Sequence, residues 1–520
     1  MSKILSLLTL SLVLSACVSQ PTPELPLIST LDFTAFDAQQ GTLKLREGKS
    51  RKLSLDAEPE YIAVSSDGKT AFVGLQESNA VATLDLVSGR ITALKSLGLK
   101  DHSKADNTLD ASDKDGKINL QSRPVFGAYM PDALAHISVG GKSYLLSANE
   151  GDSRDYGSAF SDEARVSSLT LDPTVFPNAA ALKTDAELGR LTVSKVDADT
   201  DGDGDADRLV AFGARSLSVW GAQLNLVADT GDLLERKVAE LSPSSFNSDG
   251  TASTLDTRSD NKGPEPEGVV SGVVGGKTLA FVGLERAGGV VVLDVSTPTN
   301  PTYVDYAHFI TPSAAPASGT AGDLGPEGLL FIPAADSPSG QALLVASFEV
   351  SGSVTLYSVV DSGKLTLAGR YQTSPYTFNK GVAEISAFDK VSKRLFVVNG
   401  NTGGLDILNI ADVSKPTLLK SVDLSPYGKG ANSVAVFGGV VALAVEAAVK
   451  TDPGKVVFLD VEGALRAPPI TVGALPDMLT FTPDGRTLLV ANEGEPNADY
   501  SIDPPGSVSL INVAKALAAK

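Results

Sequence analysis

The chain has 520 residues, including 49 glycines, 29 prolines and one cysteine, and its 62 acidic and 43 basic residues give a net charge of −19. This charge excludes binding to nucleic acid or to an anionic membrane surface by electrostatic attraction, and it favours cations as partners. A solvated acidic surface that keeps an exported protein soluble would have the same composition. The glycine and proline content is typical of many short strands joined by turns.

Residues 1–16 predict an export signal. Lys3 precedes an apolar run, Ile4 to Leu14, which is too short to span a bilayer. The following LSAC, which ends at Cys17, resembles the bacterial lipobox, in which cleavage before the cysteine leaves a lipidated N-terminus. Cys17 has no second cysteine with which to form an intramolecular disulfide. Residues 17–41 are therefore expected to be the lipidated cysteine and a tether to the membrane; the alternative is an ordinary cleaved signal and an incidental cysteine.

One pattern recurs along the rest of the chain. An acidic residue, often after proline, opens an apolar strand, and a tight turn leads to a second apolar strand. A polar loop then precedes a third strand in which apolar and polar residues alternate. A period of roughly 40–60 residues with about four strands in each unit is typical of a β-propeller. The openings are Glu60, Asp132, Glu267, Glu327, Glu384, Asn432 and Asp477.

We therefore predict an all-β chain, folded over residues 42–520 as a seven- or eight-bladed β-propeller. A strand at residues 51–55 is expected to complete the last blade and close the ring, which removes exposed strand edges. In the second repeat, VSSLTL at residues 166–171 is the predicted third strand.

The interval between Asp132 and Glu267 holds too much chain for one blade, which indicates an insertion or an extra blade around residues 173–258. Three segments within it resemble strands without an acidic opening, and a divergent eighth blade is slightly favoured over an inserted β-subdomain. These segments are Leu209–Phe212, Ser216–Trp220 and Leu224–Ala228.

The sharpest local motif is an acidic loop, DTDGDGDAD. Alternate aspartates in a loop with glycines place several hard oxygens around one point, as Ca²⁺ requires. The twelfth position is Val210 where an EF-hand has a bidentate glutamate, so an EF-hand is not expected; the alternative to calcium is a flexible acidic surface loop. A weaker relative at 110–116 is interpreted as a solvated turn. The predicted calcium ligands are Asp199, Asp201, Asp203, Asp205 and Asp207.

The acidic openings lie at the starts of the innermost strands, so they are expected to crowd one mouth of the central channel. They repel one another unless cations or hydrogen bonds compensate. One hypothesis is that these acids bind a metal or a substrate. The alternative is that each acid caps backbone N–H groups of a neighbouring blade. The basic residues Arg154, Arg258, Lys262 and Arg286 pair with these acids or hold an anionic ligand. The candidate mouth ligands are Glu60, Asp132, Glu150, Asp152, Glu267, Glu327, Glu384, Asp477 and Glu493.

Two loops after second strands are near copies, NEGDSRDY at 149–156 and NEGEPNADY at 492–500, and ligand contacts are expected there. Other chemistries lack support. The three histidines are too widely spaced for a zinc or haem site. No G-x-S-x-G elbow is present, which argues against a hydrolase of that class. Catalytic residues therefore stay unassigned.

Many stretches resemble the bacterial choice-of-anchor I proteins, in the YVTN/phytase-like propeller superfamily. Among them are EPEYIAVSSDGKTAFV from Glu58, DTDGDGDADRL from Asp199 and ALPDMLTF from Ala474. The resemblance implies an exported protein held at the cell surface, here by lipid on Cys17. In other members the block NKGVAEISAFD precedes GPEGLLF, whereas here it follows, as in a circular permutation. A closed ring tolerates such a change because its seam can move between blades.

Some relatives in this family have alkaline-phosphatase or phytase-like labels, although propellers host many functions. We expect a calcium-binding lipoprotein of the cell envelope that acts as a ligand-binding or scaffold module. Its partner would be an envelope protein, a glycan or a phosphorylated small molecule, and not nucleic acid. The alternative is a calcium-dependent phosphoesterase that uses the mouth carboxylates to activate water on the metal.

Overall fold

The computed structural model describes residues 27–42 and 52–519. Their strands form eight sheets, of which seven are four-stranded and antiparallel and one is five-stranded. The first strands of the seven four-stranded sheets contact one another in a closed cycle that returns from Pro476–Phe481 to Pro59–Val64. This ring of sheets is a β-propeller, which confirms the predicted all-β class. We number its blades I to VII in the order of their first strands.

The strands of each blade run from the channel outward. Blades I and II contain Pro59–Val64, Thr70–Leu75, Ala80–Asp85 and Arg90–Ser96, then Leu134–Val139, Lys142–Asn149, Ser216–Gly221 and Leu226–Asp229. Blades III and IV contain Pro266–Val274, Lys277–Leu284, Val290–Asp294 and Thr302–Ala307, then Pro326–Ile332, Leu343–Phe348, Ser353–Val359 and Leu365–Gln372. Blades V and VI contain Ser386–Asp389, Arg394–Asn399, Gly404–Asn409 and Thr417–Val422, then Gly430–Phe437, Val440–Glu446, Pro453–Asp460 and Ile470–Ala474. Blade VII contains Pro476–Phe481, Thr487–Asn492, Ser507–Asn512 and Ile28–Asp32.

An N-terminal strand closes the ring, as predicted, but it is a different strand. Ile28–Asp32 pairs antiparallel with Ser507–Asn512, so that Ile28 lies opposite Ile511. The predicted closing strand at 51–55 is wrong where the structure describes it, because Leu53–Asp56 forms one helical turn with Leu53 fully buried. The propeller therefore begins within the segment assigned to the tether.

The extra chain near blade II forms an inserted sheet and not an eighth blade. The chain leaves blade II after its second strand and returns at Ser216, which lies opposite Asn149. The predicted third strand at 166–171 is wrong, since 166–168 is a 3₁₀ turn. Apolar and polar residues alternate both at 166–171 and in the strand that begins at Ser216. The pattern therefore does not reveal which of the two segments pairs with the second strand of blade II. The inserted five-stranded sheet contains Leu99–Asp101, Phe126–Ala128, Glu163–Arg165, Thr192–Ser194 and Val210–Phe212.

Helices in the described residues are short, and all but the last, Val513–Ala518, lie between strands. None of them combines the length and the apolar character that crossing a bilayer requires. The α-helices are Leu53–Asp56, Ala179–Leu182, Leu233–Leu241 and Val513–Ala518. The 3₁₀ helices are Thr34–Thr42, Val166–Ser168, Pro243–Ser245, Ala252–Thr254 and Pro316–Ser318. The predicted signal peptide and Cys17 lie outside the described residues.

Hydrophobic clusters between adjacent blades hold the ring together. One cluster joins blade VII to blade I through Leu489 and Val73, and it includes Phe33, all three fully buried. Another joins blade II to blade III. Each strand offers a side chain to both neighbouring blades because successive residues point to opposite faces. This packing fixes the relative positions of the loops that surround the channel.

Candidate functional site

In four blades the opening acid lies in a bulge at the start of the first strand. In blade I, Pro59 pairs with Leu75 and Ile62 pairs with Val73, so Glu60 and Tyr61 together face one partner residue. Blades III, IV and VII have the same register shift after their own prolines. A bulge re-aims the side chain that it carries. The repeated X-Pro-acid sequence thus directs one carboxylate from each of these blades to the mouth of the channel.

The residues before these prolines share an uncommon backbone conformation. Glu58, Glu265 and Leu475 have positive φ angles of 42°, 53° and 46°. Residues other than glycine rarely adopt this region, which costs roughly 1–3 kcal/mol for each residue. Such strain is found most often where a site must be held in a fixed geometry. The mouth therefore concentrates both strain and charge.

A cavity of about 520 Å³ occupies the channel. Asp132, Glu327, Glu384 and Asp477 line it together with Tyr61, so the structure brings these predicted mouth residues together. Apolar and small side chains line the cavity further along the same strands. The channel thus has an acidic mouth and a less polar interior.

A second group of acids follows the second strands. In blades III, IV and VII the N–H of this acid donates to the carbonyl of the residue before the opening proline, at 2.8, 2.8 and 3.0 Å. Each of these three blades therefore places two acids at the same mouth. The sequence analysis included two of these acids, Glu150 and Glu493, among the candidate ligands and missed four more. All six share a position at the end of a second strand, which the sequence itself shows. The acids missed are Glu77, Glu285, Glu349 and Glu446.

One group at the mouth is formed by Asp132, Glu150 and Glu267. Each contributes a carboxylate oxygen, and these oxygens lie within 4.8 Å of one another. Glu150 accepts a hydrogen bond from Lys262 Nζ at 2.5 Å and another from Gln76 Nε2 at 3.1 Å. The Oε2 atom of Glu267 is buried and has no hydrogen-bond partner among the described residues. This group is the best candidate for binding a cation.

The basic residues near the mouth pair with other acids. Arg258 Nη2, Lys262 Nζ and Arg286 Nε lie 2.5, 3.3 and 3.3 Å from the carboxylate of Glu265, which is fully buried. Arg154 forms a buried ion pair with Glu58 at 2.8 Å. Within the described residues, none of the six acidic openings forms an ion pair. The basic residues therefore pair with Glu58 and Glu265, which precede opening prolines, and with Glu150 and Glu285, which follow second strands, and among the described residues they form no ion pair with the openings.

Burial and mutual repulsion raise the pKa values of the opening acids. Burial raises the pKa of Asp477 to about 7, and burial with repulsion from Glu327 raises that of Glu384 to about 8. Burial also raises the pKa of Glu327 to about 7, an effect that its hydrogen bond to Glu267 partly offsets. Glu265 behaves differently. Burial would raise its pKa, but the positive charges of Lys262, Arg258 and Arg286 outweigh this effect and lower the pKa to about 2. Without a bound cation, the mouth retains protons near neutral pH.

The two near-copy loops meet above blade I. Tyr156 donates a hydrogen bond to Glu58 Oε1 at 2.5 Å, and its ring lies edge to face against that of Tyr500. Asp152, a predicted mouth ligand in the first loop, has an exposed side chain. The loops thus cover one side of the mouth by contacting each other.

The acidic loop divides into two groups of carboxylates. Oxygens of Asp199, Asp201 and Asp203 lie within 4.8 Å of one another. Oxygens of Asp205 and Asp207 lie equally close to that of Asp172, which the sequence analysis did not include. The bridge between Leu171 and Ala206 brings Asp172 there. A pairing across 35 residues has no local sequence signal.

The interpretation of residues 110–116 as a solvated turn fits Lys114 and Gly116, which are exposed, but it is wrong for the first three residues, which are buried. Asp110 is 1% exposed and accepts a hydrogen bond from the N–H of Asn119 at 2.6 Å. Arg215, also buried, donates to the carbonyl of Asp110 and to Glu235. The segment is thus a structural connection between the inserted region and the helix Leu233–Leu241.

The family model of the choice-of-anchor I domain matches residues 17–298 and 384–519. The chain belongs to the choice-of-anchor I family. The resemblance found in the sequence is thereby confirmed, and membership indicates an exported or cell-surface protein with a propeller that serves as a scaffold or ligand-binding module. The segment between the two matched stretches contains blade IV.

Among curated relatives of this family member, Gigasin-3a of Magallana gigas is 31% identical over 195 residues, which are 34% of this chain and 67% of the relative. A mesenchyme-specific cell surface glycoprotein of Strongylocentrotus purpuratus is 26% identical over 233 residues, which are 38% of this chain. The chain spans only 29% of that second relative.

Solved structures with similar folds include the β-propeller domain of Cps50 (Swd1) from Myceliophteria thermophila, with 10% identity, a TM-score of 0.44, and coverage of 88% of this chain and 97% of that one. A putative 6-phosphogluconolactonase from Bacteroides fragilis has 13% identity and a TM-score of 0.42, with 84% and 89% covered. At these scores, the fold assignment rests on the topology of the chain's own sheets.

Proposed function

We propose that this choice-of-anchor I protein is a lipoprotein of the bacterial cell envelope whose propeller binds Ca²⁺ and acts as a ligand-binding or scaffold module. The observation that carries the proposal is the group formed by Asp132, Glu150 and Glu267, whose oxygens lie within 4.8 Å of one another. The buried Oε2 of Glu267 has no donor within the described residues. Ca²⁺ is bound by carboxylate oxygens in flexible geometry, so it suits this donor set.

The acidic loop supports calcium binding at a second location. Asp199 accepts hydrogen bonds from the N–H groups of Gly202 and Gly204, which have φ angles of 86° and 96°. Only glycine adopts such angles readily. The loop is therefore folded back on its own aspartates, and a cation there would stabilise the inserted region rather than contact a ligand in the channel.

Attachment through lipid on Cys17 would direct the mouth away from the membrane. Leu27 accepts a hydrogen bond from the N–H of Asn512, at the end of blade VII opposite the strand start that bears Asp477. The ten residues before Leu27 span at most about 36 Å when fully extended. A tether that ends at Leu27 would thus leave from the face opposite the mouth and keep the mouth accessible to ligands.

The test compares the purified protein in chelator and in calcium. We expect calcium at about 100 times its Kd to stabilise the protein by about 2.7 kcal/mol. Glu267→Gln should weaken binding at the mouth by about tenfold or more. Glu446→Gln is a matched control, because Glu446 lies at the same mouth but pairs with an exposed Lys429 at 2.8 Å. Calcium binding that is equal in both variants and the native protein would contradict the proposed mouth site.

A second candidate is a calcium-dependent phosphoesterase, and Lys262 favours it. Lys262 Nζ lies 2.5 Å from Glu150, one of the proposed ligands, so a cation site and an anion-holding ammonium group are adjacent. A bound metal would activate water and polarise a phosphoryl oxygen, and Lys262 would hold the substrate's negative charge. We would measure hydrolysis of a generic phosphomonoester and of phytate. Calcium-dependent turnover that is lost in both Glu267→Gln and Lys262→Gln would support the enzyme; calcium binding without turnover would support the binding module.

A further inference from the structure

The channel cavity contains a buried hydroxyl group without a partner. Ser386 lines the cavity at the start of the first strand of blade V, and it is 8% exposed. Its Oγ atom is buried and has no hydrogen-bond partner among the described residues. A buried hydroxyl that forms no hydrogen bond is costly, because its bonds to water are lost. The Oγ atom therefore indicates a polar group that enters the cavity.

The cavity is too large for a metal ion alone. Its volume of about 520 Å³ lies within the range of small-molecule pockets in proteins, roughly 300–1,000 Å³. Ca²⁺ binds its ligands at about 2.3–2.6 Å, so one ion would leave most of this space empty. Leu330, Phe388 and Val436 line the cavity and are half-buried, so an apolar body that covered them would be stabilised.

The charge of the cavity favours a cation. Asp132 and three further acids line it, and among the described residues none of the four forms an ion pair. Only Asp132 belongs to a group of described carboxylates with oxygens within 4.8 Å of one another. A calcium ion at that group would therefore compensate Asp132 and leave the other acids facing the cavity. These are Glu327, Glu384 and Asp477.

Glu384 and Ser386 present the two kinds of polar group on one segment. They are two residues apart, so their Cα atoms are separated by at most about 7 Å. Two glycines fix the carboxylate of Glu384, since a Cβ atom at Gly381 or Gly400 would lie 2.4 or 2.3 Å from its Oε1 atom. The N–H of Gly400 donates to the carbonyl of Gly381 at 2.6 Å. The segment thus holds a negative charge at the mouth and a hydroxyl group further inside.

We infer that the channel binds a small organic ammonium compound with an apolar body, whose ammonium group pairs with Glu384 and whose opposite end hydrogen-bonds to Ser386. This inference rests on the proposed ligand-binding function and names the chemical class of the ligand. An ammonium group donates hydrogen bonds as well as positive charge, so it suits a carboxylate. The apolar body would cover the side chains that line the interior.

The experiment is isothermal titration calorimetry of the purified full-length protein in saturating calcium with three probes of similar size. Aminopentanol carries both polar groups, pentylammonium lacks the hydroxyl group, and pentanediol lacks the charge. We expect aminopentanol to bind at least tenfold more tightly than pentanediol. Glu384→Gln should abolish this preference for the charged probe.

Ser386→Ala tests the inner contact. It should weaken aminopentanol severalfold and leave pentylammonium unchanged, because only the first probe carries a hydroxyl group. Glu446→Gln is the control, since Glu446 lies at the same mouth, does not line the channel cavity and pairs with Lys429. It should bind all three probes as the native protein does.

The inference is overturned if none of the probes binds, if pentanediol binds as tightly as aminopentanol, or if Glu384→Gln, with folding verified by circular dichroism, retains the preference. Ammonium binding that calcium abolishes would place the probe at the calcium group and would also overturn it. A calcium titration of the same preparation separates the two proposals. Calcium binding without ammonium binding leaves the proposed calcium site standing, whereas ammonium binding without calcium binding supports the inference alone.

Discussion

Tyr156 and Tyr500 lie edge to face, with ring centroids 5.2 Å apart and planes at 86°. They belong to loops of blades II and VII, which flank blade I on either side. The loops have similar sequences, and each follows the second strand of its blade. Their contact converts two separate loops into one cover over the acids of blade I.

A double-mutant cycle on this pair tests the cover. We expect Tyr156→Leu and Tyr500→Leu to be non-additive, with a coupling free energy of about 0.5–1.5 kcal/mol, as for other aromatic pairs. Urea unfolding of the four proteins measures it. Tyr156→Phe is the control, since it keeps the ring contact and removes only the hydrogen bond to Glu58. Additive effects would indicate that the loops are independent.

The buried ion pair between Arg154 and Glu58 yields a second prediction. Their side chains are 3% and 2% exposed. Arg154→Met should destabilise the protein by about 3–5 kcal/mol, because it leaves Glu58 charged, buried and unpaired. Adding Glu58→Gln to Arg154→Met should recover part of this loss in urea unfolding. If the double variant were less stable than Arg154→Met alone, the unpaired charge would not be the cause.

The raised pKa of Glu384 predicts how stability depends on pH. Its folded-state pKa of about 8 exceeds its ordinary value of 4.5, because of burial and the nearby acids Glu327, Glu349, Asp477 and Glu446. The folded protein therefore binds a proton that the unfolded chain releases between these values. The stabilisation is complete below about pH 4.5 and is lost as the pH rises through about 8, with a slope of at most about 1.4 kcal/mol per pH unit.

Urea unfolding in chelator from about pH 5 to about pH 9 measures this slope. Glu384→Gln removes the titrating group, so its stability should fall less steeply over that range. Glu462→Gln is a control, since the side chain of Glu462 is 69% exposed. An equal slope in Glu384→Gln and the native protein would show that Glu384 is ionised throughout.

A close backbone approach positions Glu150. Gly213 has a φ angle of 77°, and a Cβ atom there would lie 1.9 Å from the carbonyl oxygen of Glu150. Gly213→Ala should therefore displace Glu150 and weaken calcium binding at the mouth by about tenfold. Gly276→Ala is matched, because Gly276 has a φ angle of 80° but nothing within 4 Å of its added Cβ.

Both substitutions incur the cost of a left-handed backbone, about 1–2 kcal/mol. Only Gly213→Ala should also change calcium affinity, which isothermal titration calorimetry measures. Equal calcium affinity in Gly213→Ala and Gly276→Ala would show that the contact with Gly213 does not position Glu150.

Repetition made the propeller predictable from the sequence. The acid at the apolar run recurs in every blade except blade VI, which has Asn432, and a turn follows the run, so local patterns specify the strands and the mouth acids such as Glu60 and Asp477. The closing strand and the third strand of blade II were misassigned, because pairings such as Ile28 with Ile511 join distant residues. Two features of the mouth have no local sequence signature, because they depend on packing between blades. They are the clustering of basic side chains around Glu265 and the absence, among the described residues, of a hydrogen-bond donor at Glu77 Oε2.

The pairing of Ile28–Asp32 with Ser507–Asn512 also determines when the fold can be completed. The first strand of the described residues has no partner until nearly the whole chain has been synthesised. Contacts so distant in sequence form slowly. Until this pairing forms, one edge of Ser507–Asn512 lacks its neighbouring strand, so the last blade is the place where an unclosed ring exposes backbone groups that can pair with another chain.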